Sequence, residues 1–115
     1  MKFKKKEAGH YICEIGVFED LYGETSAEFE IHVCKYFPGE MTWTGQNYYW
    51  SWEIFQFGES VLTPDGFYHP TLADCKRYAL EAFANLKEKQ SKAFERMSKI
   101  HTERIMRGIR KHNVR

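Results

Sequence analysis

The longest uninterrupted pattern in this 115-residue chain is helical and lies in its C-terminal part. Thr71 stands where a side-chain oxygen caps a first helical turn, and Asp74 follows three residues later. From there to Gly108 the sequence contains neither Pro nor Gly, so nothing stops the helix early. Apolar side chains recur behind the cap at three- and four-residue spacing, which predicts a helix lying on an apolar surface. This first stripe consists of Leu72, Cys75, Ala79, Ala82, Phe83 and Leu86.

The second half of this helix carries a different pattern. Six consecutive polar residues, 87–92, end the first stripe. A helix from Thr71 to Gly108 would span about 55 Å, more than a strand of ordinary length, so it cannot lie wholly on one small sheet. We expect it either to project, with an apolar seam that would suit a homodimer, or to turn near residue 89 and pack back. The seam consists of Phe94, Met97, Ile100, His101, Ile105 and Ile109.

The residues before the helix alternate between apolar and polar side chains, which is typical of strands with one buried face. The clearest alternation places Ala27, Phe29, Ile31 and Val33 on one face and glutamates on the other. The predicted fold class is α+β, an antiparallel β-meander of three to five strands packed on the first half of the long C-terminal helix. The predicted strands cover residues 11–18, 26–36 and 47–57, with shorter ones at 60–62 and 67–69.

Charge is distributed very unevenly along the chain. Residues 1–6 hold four lysines, residues 7–86 have a net charge of −10, and residues 87–115 have a net charge of +7. We therefore expect a basic, flexible N-terminus at residues 1–8, a single α+β domain at 9–86 and a basic helical arm at 87–115. Only three cysteines are present and no stretch is long and apolar enough to span a membrane, which favours a reduced, cytoplasmic setting without membrane partners.

Residue types that bind metals or catalyse reactions are present but scattered. If the first hairpin turns around residues 20–23, Cys34 falls near His10, with His32 beside them. A slip of one residue in that register would separate the three side chains, so the preferred interpretation is buried cysteines and a surface histidine, with no metal and no cofactor. The sequence contains no nucleophile elbow and no phosphate-binding glycine loop. We expect a protein that is not an enzyme.

Basic side chains of the arm suggest nucleic acid as one class of partner. They recur at three- and four-residue spacing, so they could neutralise several phosphates in a salt-dependent way. The acidic domain would repel the same ligand. The candidate residues are Arg96, Lys99, Arg104, Arg107, Arg110 and Lys111.

Protein binding accounts for more of the chain at once. The segment from Trp43 to Tyr68 holds more large aromatic rings than one small core normally takes up, and surplus Trp and Tyr side chains are typical of interfaces. The acidic strand face could also stand in for phosphates in the basic groove of a partner. The candidate protein-binding residues are Trp43, Tyr48, Tyr49, Glu28 and Glu30.

Residues 46–86 also resemble a group of known proteins. The stretches Trp52-Glu53-Ile54 and Pro64-Asp65-Gly66-Phe67, followed by the capped, Ala-rich start of the helix at Thr71, are similar to small phage and prophage accessory proteins. In those proteins a β-meander ends in a glycine turn and a capped helix. The resemblance implies a protein that binds and inhibits or redirects a host protein, for example a nucleic-acid-handling machine, and it brings no catalytic residues with it.

Overall fold

The computed structural model of the chain describes residues 2–39, 45–64 and 69–113, with side chains described to residue 109. Within these residues the chain forms five strands followed by one helix. The strands are β1 (Lys4–Glu7), β2 (His10–Glu19), β3 (Thr25–Tyr36), β4 (Tyr49–Gln56) and β5 (Glu59–Leu62), and the helix is α1 (Leu72–Asn113).

The five strands form one sheet in the order β1-β2-β3-β4-β5, and every neighbouring pair is antiparallel. Each strand therefore pairs with the next one in sequence, which is the β-meander that the alternating pattern predicted. Together with the helix that packs on the strands, the sheet confirms the α+β fold class.

The burial of alternate residues in the central strand β3 shows which face of the sheet packs in the core. Phe29, Ile31 and Val33 are at most 1% exposed, as their alternation predicted. They lie beside Ile54 and Trp52 of β4, which face the same side of the sheet and are also buried. We call this the inner face. The opposite or outer face carries the intervening residues of β3, including Glu28, Glu30, His32 and Cys34.

The start of α1 completes the core. The hydroxyl of Thr71 accepts a hydrogen bond from the backbone N–H of Asp74 at 3.2 Å, so the predicted cap is confirmed. Cys75 and Ala79, one helical turn apart, are fully buried. The Lys76 ammonium lies 4.5 Å from the centroid of the Tyr11 ring on β2, which ties the first turns of α1 to the sheet.

The N-terminus differs from the flexible segment that the sequence predicted for residues 1–8. Lys4–Glu7 forms the edge strand β1, whose Lys5 pairs with Tyr11 of β2. All four of its residues are exposed, so the strand is held by backbone pairing and has no alternation that a sequence pattern could reveal. Lysines on an edge strand also discourage pairing with other chains.

For two other predicted strands, the observed structure differs from the predicted range. The third predicted strand, residues 47–57, is observed as β4 from Tyr49 to Gln56. Of the short strand predicted at residues 67–69, Phe67 and Tyr68 lie outside the described residues. His69 forms an isolated bridge in which its N–H and C=O both bond to the backbone of Trp50, at 2.8 and 2.7 Å.

Helix α1 runs without interruption for 42 residues, about 63 Å at 1.5 Å per residue. The alternative in which the helix turns near residue 89 is therefore wrong. The polar residues 87–92 end the apolar stripe but not the helix, and an ion pair between Lys92 and Glu88 at 2.9 Å supports the backbone there. In the described part of the chain, no helix combines the length and hydropathy needed to cross a bilayer.

The chain divides into two compact units, Met1–Glu81 and Ala82–Arg115. The last buried side chain of the helix in the described residues is Phe83. From residue 91 to residue 109 every side chain is exposed.

A chain that ends after residue 88 should therefore fold. It keeps the buried helix residues Cys75, Ala79 and Phe83 and loses only side chains that are exposed or nearly so. We expect its melting temperature to lie within about 5 °C of that of the full chain, a shift that corresponds to about 1 kcal/mol for a domain of this size. Thermal melts followed by circular dichroism measure this. An unfolded shortened chain would mean that the arm is part of the core.

Candidate protein-interaction site

The arm presents six exposed large apolar side chains within the described residues. Phe94 and Met97 are 72% and 71% exposed. Four more large apolar side chains follow within four helical turns, each about half exposed. They are Ile100, Ile105, Met106 and Ile109.

All of these side chains except Met106 lie on one half of the helix circumference. At 100° per residue, Phe94, Met97, His101 and Ile105 fall within an arc of about 80°, while Ile100 and Ile109 lie about 60° and about 40° outside its two ends. The arc holds four of the six residues of the predicted seam. Spacing of this kind is what an amphipathic helix offers to a groove of a partner protein.

The predicted nucleic-acid-binding residues are only partly brought together. Arg96, Lys99 and Arg107 are exposed and share an arc of about 80° on the side away from the seam. Arg104 falls about 60° outside this arc, one turn after Ile100 and beside the seam. Glu103 lies inside the basic arc, four residues from both Lys99 and Arg107. The side chains of Arg110 and Lys111 lie outside the described residues.

The predicted protein-binding residues occupy two separate places in the sheet. Glu28 and Glu30 are half-buried on the outer face, as predicted. Tyr49 is on the same face at the start of β4, whereas Tyr48 lies beside Lys35, whose ammonium is 4.1 Å from the Tyr48 ring centroid. Trp43 lies outside the described residues.

Glycine explains how one of the predicted glutamates is placed. Gly16 of β2 has a φ of +71°, and a Cβ built on it would lie 3.1 Å from the Cβ of Glu28. The Glu28 side chain therefore lies over Gly16, and a side chain at position 16 would crowd it. Glu30 is instead bonded to His32, with 3.0 Å between its Oε2 and the ring Nε2.

A cluster around His32 occupies the middle of the outer face. His10 lies opposite Cys34 in the pairing of β2 with β3, so the register on which the sequence hypothesis depended is confirmed. Nε2 of His10 is 2.9 Å from Nδ1 of His32, and the ring of Phe55 packs edge-on against His32 at 4.8 Å. Among the described residues, no three or more His, Cys, Asp or Glu side chains are grouped so that they could hold a metal ion.

A second cluster, which the sequence did not predict, surrounds the start of α1. The rings of His69 and Tyr78 are stacked, with their centroids 4.7 Å apart, and the Arg77 guanidinium lies 4.9 Å from the Tyr78 ring centroid. Burial lowers the pKa of His69, Arg77 lowers it further, and Asp74 opposes the shift. No sequence signal marks this cluster, because the stack depends on the bridge between His69 and Trp50.

All three cysteines are free thiols. Burial raises the pKa of Cys13 and Cys34, and it raises that of Cys75 to about 12. These thiols therefore stay protonated near neutral pH and are poor nucleophiles. One polar atom of the core is unpaired: Nε1 of Trp52 is buried and has no hydrogen-bond partner within the described residues.

The edge of the sheet near β1 forms an open depression of about 530 Å³. Its lining mixes lysines of the N-terminus with Glu14 and Glu30, so it offers no single sign of charge to a ligand. The exposed seam of the arm is therefore the most distinct candidate site. No protein-family model, curated protein or solved structure matches this chain.

Proposed function

We propose that this chain is a small, non-enzymatic binding protein of phage or mobile-element type that acts in the cytoplasm of a host cell. It binds a host protein through the apolar seam of the arm and inhibits or redirects it. The observation that carries this proposal is the exposure of every side chain from residue 91 to residue 109 together with the alignment of Phe94, Met97 and Ile105 on one side of the helix.

The seam supplies enough apolar surface for a specific contact. Burying a large apolar side chain contributes about 1.5–3 kcal/mol relative to leaving it in water. Phe94 and Met97 are the most exposed apolar side chains of the seam, so their burial by a partner would contribute most to the binding free energy. A groove that accepts residues at i, i+3, i+7 and i+11 of a helix is a recurring mode of peptide recognition.

Charge favours an acidic partner over a second copy of the arm. Residues 87–115 have a net charge of +7, so two arms side by side would repel each other. A groove with acidic rims would attract the arm and take up the seam at the same time. The proposed partner is therefore a host protein that has an apolar groove lined by acidic side chains at its rims. Such a groove would suit a protein that binds basic segments of other proteins.

Nucleic acid remains the second candidate. It is favoured by the exposed arc of Arg96, Lys99 and Arg107. Glu103 lies within that arc and would face the same phosphates, which weakens this candidate relative to protein binding. It would also leave the apolar seam in water.

Charged substitutions in the seam separate these candidates. We expect Phe94→Asp combined with Met97→Asp to weaken binding of the captured host protein at least 100-fold, which corresponds to about 2.7 kcal/mol or more. The matched control is Lys92→Gln with Lys99→Gln, which lowers the net charge by the same two units at exposed positions on the side of the helix away from the seam and should weaken binding less than tenfold. Capture from host lysate identifies the partner, and calorimetry with the purified partner measures the affinities.

Three results would contradict the proposal. The first is a partner that binds the seam variant as tightly as it binds the unaltered chain. The second is a salt-dependent mobility shift of DNA or RNA that disappears on Arg96→Glu with Arg107→Glu but survives the seam substitutions, which would favour nucleic acid. The third is light scattering that shows a dimer which the seam substitutions dissociate.

A further inference from the structure

Two histidines of the outer face point nitrogen atoms at each other. Nε2 of His10 on β2 and Nδ1 of His32 on β3 are 2.9 Å apart, and their ring centroids are 5.1 Å apart. The side chains of Glu7 and Glu30 flank this pair. The two histidine side chains are 18% and 21% exposed, so solvent reaches them while the strands fix their positions.

The outer nitrogen of each ring faces a carboxylate. Nε2 of His32 is 3.0 Å from Oε2 of Glu30, and Nδ1 of His10 is 3.8 Å from Oε1 of Glu7. Histidines that bind metals usually donate their second ring N–H to a carboxylate or carbonyl, because this fixes the tautomer and makes the ligating nitrogen more basic. Of these two contacts, only that of His32 with Glu30 is within hydrogen-bonding distance. At 2.9 Å one inner nitrogen donates a hydrogen to the other, so a metal ion between the rings would take the place of this proton, which is released to water.

The distance between the inner nitrogens is close to that of a metal complex. Two zinc–nitrogen bonds of about 2.0–2.1 Å at a tetrahedral angle separate the nitrogens by about 3.3 Å. The rings would have to part by roughly 0.4 Å to admit the ion. Glu7, Glu30 and Glu53, which lies opposite His32 in the register of β3 with β4, surround the pair with negative charge that favours a cation.

We infer that His10 Nε2 and His32 Nδ1 form a two-histidine site for a borderline divalent transition metal such as Zn²⁺, with water completing the coordination. Neutral imidazole suits Zn²⁺, Ni²⁺ and Cu²⁺. The site is open, because the described residues bring no third side chain into place. Cys34 lies opposite His10 in the register of β2 with β3, but among the described residues its thiol is not grouped with the two rings as a third ligand. This inference revises the sequence expectation that no metal is bound, and it is independent of the proposed function of the arm.

The test uses the full chain without a histidine tag and Zn²⁺ alone as the ligand. Calorimetry should show one ion per chain, and His10→Gln and His32→Gln should each raise the dissociation constant at least about tenfold. Glu30→Gln should raise it about 10–100-fold by removing the carboxylate behind His32. His101→Gln is the matched control, because His101 is exposed on the arm, and it should leave binding unchanged.

A measurement on the unaltered chain guards against variants that fail to fold. Zn²⁺ should shift the NMR signals of the His10 and His32 ring nitrogens and leave those of His101 in place. The inference is overturned if millimolar Zn²⁺ moves neither ring, or if the two histidine variants bind Zn²⁺ as the unaltered chain does. The pair would then be a simple N–H···N hydrogen bond.

Discussion

Replacing Phe29 by alanine is expected to lower the free energy of unfolding by about 3–5 kcal/mol, a large part of the stability of a domain of this size. Phe29 is 1% exposed on β3, the central strand of the sheet. Its removal takes away buried apolar surface and leaves a cavity that the paired strands on both sides cannot close. Urea unfolding followed by circular dichroism measures the change.

The arm supplies the control for this prediction. Phe94→Ala removes the same group from a position that is 72% exposed, so unfolding free energy should change by less than about 0.5 kcal/mol. Ile54→Ala provides a second core variant, because Ile54 is fully buried on β4. A Phe29→Ala chain as stable as the Phe94→Ala chain would mean that the inner face of the sheet is not the core.

Cys75 is expected to resist alkylation in the folded protein by a factor of at least 1,000 relative to an unhindered thiol. Its pKa is raised from 9.0 to about 12, so near pH 7 the reactive thiolate is about 1,000 times less abundant than in an ordinary thiol. The thiolate becomes abundant only as the pH approaches 12. Complete burial of the side chain slows the reaction further.

Timed labelling with iodoacetamide, followed by mass spectrometry of peptides, checks this order of reactivity. Cys34 is only partly buried and should react first, whereas Cys13 and Cys75 should react together when the protein unfolds. Labelling in denaturant is the control, and there all three thiols should react at similar rates. Rapid labelling of Cys75 in the folded state would show that the helix start does not cover the sheet as described.

The buried face of the sheet and the start of the helix were predictable from local patterns. Alternation placed Phe29, Ile31 and Val33 together, and the Thr71 cap marked the first turn of α1. Such signals are local, because side-chain direction repeats every two residues in a strand and every 3.6 in a helix. The edge strand β1 was missed because backbone pairing alone holds its exposed lysines.

The candidate site could be predicted only in part. The seam of Phe94, Met97 and Ile105 followed from spacing along one helix, which needs no knowledge of the rest of the fold. The partners of Glu30 and Tyr48 could not be predicted, because their contacts with His32 and Lys35 depend on the orientation of side chains across the sheet.

The sequence by itself therefore determined the order of β2 to β5 and α1, the buried face of β3 and the amphipathic character of the arm, all of which depend on spacing along the chain. Only the tertiary structure decided that the helix continues past residue 89 and that His10 meets His32. Whether a helix continues depends on the sum of small backbone and ion-pair contributions to its stability, and this sum cannot be read from any single residue. The histidine contact depends on the register of two strands, and a slip of one residue would have separated the rings.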